Sequence, residues 1–138
     1  MASDSTVSGV SKSAFWAGWF LSLLPSLLLV MSGVMKLVKP PAVIEGFAHL
    51  GWSEHLALAL GAVELSCTVI YLIPRTAILG AILLTGYLGG AIATHVRIGE
   101  SFIVQTILAV LVWLALYLRE VRLRRLIPLV RSSANPPR

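Results

Sequence analysis

Lys36 and Glu64 lie in stretches that are otherwise apolar enough to cross a membrane. A charge in hydrocarbon costs on the order of 3 kcal/mol on insertion scales. Two charges of opposite sign kept at such positions are expected to face each other, and a pair of this kind is by default a working site. His95 closes a third apolar stretch. An ammonium, a carboxylate and an imidazole around a dry pocket form a set for proton exchange. Glu64 and His95 would pass protons to and from a bound group, and Lys36 would hold developing negative charge.

The elements that must position these groups follow from composition and punctuation. The chain has 138 residues, 57% of them hydrophobic and 12% charged, with a mean hydropathy of +0.89. Soluble domains carry roughly 25% charged residues, so the balance points to an all-α integral membrane four-helix bundle. Spans are expected over about 14–38, 54–73, 76–94 and 102–118, each near the roughly 20 residues that a bilayer needs. Residues 1–13 are polar, Ser-rich and expected to be disordered. Pro40-Pro41 stops the first span. Val43, Ile44, Phe47 and Leu50 recur at helical spacing after it, which predicts a short interfacial helix between spans 1 and 2, ended by Gly51 and anchored by Trp52. Ser53 is a candidate N-cap for the second span. A signal peptide fits the first stretch less well, because the apolar run is too long and no small-x-small cleavage site precedes Pro40.

Arg119, Arg122, Arg124 and Arg125 open a basic tail, 119–138, expected to stand beside the membrane on anionic lipid. Its charge makes that end cytoplasmic by the positive-inside rule. An even number of spans then puts the N-terminus on the same side, and the 39–53 and 95–100 loops outside. Nucleic acid is not an expected partner. The lone Cys67 excludes an internal disulfide and a CxxC pair, and no CxxCH is present; no haem, flavin or metal signature is found.

Helix geometry brings the polar groups together. At about 1.5 Å rise per residue, Glu64 lies roughly 15 Å into its span. Side chains lean toward a helix N-terminus, so Lys36 and Glu64 on antiparallel neighbours lean toward each other. Ser22, Ser26, Leu29, Gly33 and Lys36 share one face; Ala57, Gly61, Glu64 and Thr68 share another. Small residues let helices approach closely in lipid. Gly86 and Gly90 form a GxxxG pair, which predicts tight packing, within the chain or across a homo-oligomer. Gln105 and Arg97 come near His95 from the loop and the start of the last span, and Tyr87 lies about two turns below His95. These residues are candidates to line one outward-opening pocket. The plainer alternatives are a snorkelling Lys36, a structural Glu64 that fixes register, an interfacial His95, a core Tyr87 and a solvated Arg97–Glu100 pair.

At these residues the chain resembles the DoxX family, in its DoxX-like branch of small four-helix membrane proteins. The resemblance is carried by Ser32-Gly33-Val34-Met35-Lys36-Leu37 with Pro40 soon after, Leu50-Gly51, Gly61-Ala62-Val63-Glu64, and Ala93-Thr94-His95. It covers roughly residues 15–125. The family's Lys, Glu and His pattern carries over onto Lys36, Glu64 and His95. The resemblance implies an oxidoreductive setting, since well-known members include a quinone-reducing subunit acting on thiosulfate and a membrane partner of superoxide-detoxifying and sulfurtransferase enzymes. Distant relatives are chaperones or cargo receptors. The expected ligand is then a quinone or other small lipophile, held by Lys36, Glu64 and His95 with Gln105, Tyr87 and Arg97, and the electrons come from a redox partner protein. The expected location is a bacterial inner membrane. Two alternatives stay open: a non-catalytic membrane chaperone or scaffold, and a cofactor-independent isomerase or hydrolase acting on a lipophilic substrate.

Overall fold

The computed structural model describes residues 11–126. The expected disorder of residues 1–10 and the distal half of the expected basic tail fall outside them. The described chain is helical, with no strand among the described residues. The helices are α1 (Lys12–Val38), α2 (Pro41–His49), α3 (His55–Leu72), α4 (Ala77–Arg97), α5 (Ile103–Arg119) and α6 (Val121–Leu126).

Local chemistry sets the helix ends. The Ser11 hydroxyl accepts the Ala14 amide at 3.2 Å, so α1 opens at Lys12. It closes at Lys39, a left-handed residue with φ 53° whose amide returns to the Met35 carbonyl at 2.9 Å. Pro40, with no amide to donate, follows as the N-cap residue of α2. Gly51 takes φ 72° and turns the chain out of α2. The Ser53 hydroxyl accepts the His55 amide at 3.4 Å, and the cap position itself is Glu54.

α1, α3 and α4 are long and apolar enough to cross a membrane, and α5 is a shorter apolar helix. α1 packs on α3 and α5, and α4 packs on the same two, which closes a ring of four helices. Its surface is the reverse of a soluble protein's. Phe20, Leu27, Met31, Val104 and Val110 are exposed, whereas Ser22, Ser26, Glu64 and Thr68 are buried. Polar groups inside and large apolar groups outside fit a bundle solvated by lipid.

The close crossings are made by glycine. A Cβ on Gly61 would sit 2.9 Å from the Gly33 carbonyl oxygen and 2.9 Å from the Lys36 Cβ, so α1 and α3 touch backbone to backbone there. Gly80 is pressed in the same way against the Tyr71 backbone. Within the chain the expected tight packing at Gly86 and Gly90 is not found, since a Cβ at either position would meet nothing within 4 Å. GxxxG permits close approach without specifying what approaches, and here the missing side chains widen an internal space.

Candidate functional site

The Gly33–Gly61 crossing places Lys36 one turn from Glu64 across the α1–α3 interface. The Lys36 Nζ lies 2.7 Å from Glu64 Oε2. Ser32, one turn before Lys36, completes a triangle. The ammonium donates to Ser32 Oγ at 2.5 Å, and the Ser32 hydroxyl donates to the same carboxylate oxygen at 3.3 Å. The Glu64 side chain is 3% exposed and that of Lys36 18%. The acid is thus sealed inside the bundle, while the ammonium keeps one open side. Ser32 was expected only as part of the Ser32–Leu37 motif and not at the site; its signal is the four-residue spacing to Lys36, which stacks the two on one helix face.

His95, in the last turn of α4, is held at both ring nitrogens. Nδ1 is 2.8 Å from the Ala91 carbonyl oxygen, and Nε2 is 3.2 Å from Gln105 Nε2. A carbonyl only accepts and an amide nitrogen only donates. This assignment therefore makes Nδ1 the protonated nitrogen and leaves a neutral ring. Gln105 Oε1 is buried with no hydrogen-bond partner. Turning the Gln105 amide over would give the oxygen a donor if His95 took up a proton, so the pair has two hydrogen-bonded states.

Lys36, Glu64, Tyr87, His95, Arg97 and Gln105 all line one cavity of about 950 Å³. Leu29, Phe47, Leu60, Leu88 and Leu108 supply apolar wall, and Gly86 and Gly90 supply wall without side chains. The plainer alternative for Arg97, a loop pair with Glu100, does not form. Arg97 donates to the Leu50 carbonyl at 2.5 Å and lies 5.9 Å from the Trp52 ring centroid, while Glu100 meets His49 at 2.6 Å. These contacts tie the α2–α3 connection to the α4–α5 loop. α2 itself packs little on the four-helix ring, and Phe47 is its one buried residue among those described. It is a flap over the cavity, and backbone contacts of this sort leave no mark in the sequence.

Arg119 also departs from expectation. It ends α5 and is 8% exposed, inside the bundle and not on a surface tail. Its Nη2 donates to the Tyr71 carbonyl at 2.9 Å. Arg124 turns back on α5 and donates to the carbonyls of Tyr117 and Leu118 at 2.7 and 2.8 Å, which satisfies free carbonyls at the helix end. Of the four arginines expected beside the membrane, two are therefore occupied by the protein's own backbone.

No curated protein and no solved structure matches this sequence. The profile of the DoxX-like family matches residues 20–118. That range holds most of the four-helix ring and every cavity-lining residue named above. The chain belongs to the DoxX-like family of membrane proteins.

Proposed function

We propose that the protein binds a quinone or similar small lipophile in the Lys36–Glu64–His95 cavity, as a subunit or partner of a redox system. The observation that carries this reading is the cavity itself. About 950 Å³ of mostly apolar space within a membrane bundle is interrupted by a buried ion pair and a hydrogen-bonded imidazole. Ligand sites commonly pair an apolar wall with a few fixed polar groups.

Reducing a quinone to a quinol takes two electrons and two protons. The electrons come from a partner protein. The protons come through Glu64 and His95. His95 exchanges its proton as Gln105 reverses, and Glu64 becomes a proton carrier when the Lys36 ammonium turns from it to the ligand oxygen. Lys36 is the better-exposed member of the pair, which suits it to meet a ligand. In this reading both termini are cytoplasmic, the membrane is a bacterial inner membrane, and the cavity opens on the opposite side.

The test is to purify the protein in mild detergent and identify its bound small molecules by mass spectrometry, in native and Glu64→Gln forms. A quinone present in the first and lost in the second is the expected result. An unrelated lipophile would favour an acid–base enzyme. An empty cavity with a co-purifying membrane protein would favour a scaffold, and either outcome overturns the quinone reading.

A further inference from the structure

The end of the bundle away from the cavity holds a second, unused polar site built on Arg119. Its guanidinium carbon lies 4.4 Å from the Trp19 ring centroid and 4.7 Å from that of Tyr71. Both rings bury the charge without neutralising it. Nη2 has the Tyr71 carbonyl, but Nη1 is buried with no partner. Among the described residues no carboxylate oxygen lies within 4.0 Å of this guanidinium. Lys36 shows the contrast, since its counter-charge is supplied inside the protein.

Arg119 sits beside a small cavity of about 90 Å³, lined also by Phe15, Trp19, Pro74, Ala77 and Glu120. The space suits an oxyanion and not a whole lipid. Its position suits a headgroup. Trp19 and Lys36 are 17 residues apart on α1, about 26 Å along a helix, so the two sites stand at opposite faces of the bilayer. Phe15 and Trp16 are exposed at the level of the interface, and Phe20, Leu23 and Leu24, deeper on α1, are exposed toward the acyl-chain region. Aromatic residues beside a basic group are the usual furniture of a membrane interface.

We propose that this pocket binds the phosphodiester of an anionic glycerophospholipid, with Arg119 Nη1 as the donor and the acyl chains along Phe20, Leu23 and Leu24. A phosphate oxygen supplies the missing hydrogen-bond acceptor and the missing counter-charge together. Glu120 lines the same space and opposes the anion, which tunes the site toward modest affinity. The proposal is independent of what the larger cavity binds.

The test measures thermal unfolding of delipidated protein in maltoside micelles. The micelles are doped with phosphatidylglycerol or phosphatidylcholine, or inorganic phosphate is added. Phosphatidylglycerol is expected to raise the Tm of the native protein by roughly 5 °C at saturation, phosphatidylcholine much less, and inorganic phosphate not at all. Arg119→Gln should lose the response and Arg122→Gln should keep it. Glu120→Gln still accepts the Arg122 amide, now bonded at 3.2 Å, and should lower the phosphatidylglycerol needed for half the shift several-fold. That arm keeps the proposal testable if Arg119→Gln does not fold. Loss of response in Arg122→Gln alone would assign the effect to surface charge. An equal response to phosphatidylcholine would assign it to acyl chains, and one to inorganic phosphate would assign it to a free-anion site. An unchanged midpoint in Glu120→Gln would remove the pocket from the account. Each of these results overturns the proposal.

Discussion

The Lys36 ammonium and the Glu64 carboxylate meet at 2.7 Å across the α1–α3 interface, with the acid sealed in the bundle and the base open on one side. A buried pair is weak evidence of stability, because desolvation offsets much of the attraction. Breaking it is another matter. The partner left behind is an unmatched charge in a dry space.

Glu64→Ala should therefore destabilise the protein by about 3 kcal/mol, and Lys36→Ala by a comparable amount. Lys36→Met combined with Glu64→Leu should recover most of the loss, since it leaves no charge to strand. Thermal unfolding in detergent of the two single variants and the double one measures this. Full native stability in both single variants would show that the pair does not carry the interface.

Gly61 and Gly86 should separate by function. Gly61→Val forces a side chain against the Gly33 carbonyl and the Lys36 Cβ. It should cost about 2 kcal/mol by overpacking and push Lys36 away from Glu64. Gly86→Ala meets nothing within 4 Å and should change stability by no more than about 0.5 kcal/mol. Its methyl group enters the cavity instead, so bound lipophile should fall while Tm holds. If Gly86→Ala were the more destabilising of the two, Gly86 would have to be a packing position after all, for instance in a dimer.

Much of this division was legible in the sequence. The seams Ser22–Ser26–Leu29–Gly33 and Ala57–Gly61–Glu64–Thr68 are buried as their spacing demands, because a bundle in lipid must turn small and polar residues inward. Ser32 was legible only as the first residue of the family motif, because it lies off the Ser22–Ser26–Leu29–Gly33 seam and nothing in its own chemistry ties it to the ion pair. Arg119 falls one residue beyond the expected span end, and counting charges there does not say which way a side chain points; its guanidinium turns inward between Trp19 and Tyr71. The helix α2 was expected between the first two spans, but the latch that holds it was not legible, for a different reason. Its latch runs from Arg97 to the Leu50 carbonyl, and every residue has a carbonyl.

That latch makes a prediction of its own. Arg97→Ala and Glu100→Gln each remove one contact that ties the α2–α3 connection to the α4–α5 loop. With little packing to hold α2 down, its amides should exchange roughly fivefold faster with deuterium in either variant, while amides in the middle of α3 stay protected. Exchange rates in α2 that match the native protein would mean the flap is held by Phe47 alone.

The last expectation separates chemistry from architecture at His95. Its ring nitrogens are used locally, by Ala91 on its own helix and by Gln105 on the next. Neither contact crosses to the Lys36–Glu64 pair, so His95→Ala should leave stability nearly intact. Ligand reduction or release, driven by the native redox partner, should slow by about a hundredfold if the imidazole relays protons, within the usual range for a lost general acid–base group. Gln105→Leu should slow it too, because an apolar side chain can neither donate to the neutral ring nor accept from the charged one. Gln105→Glu should instead hold His95 in its protonated state, and the pH profile of turnover should move with it. A large fall in Tm for His95→Ala with unchanged turnover would reverse the assignment and make the histidine a structural residue of the α4–α5 corner.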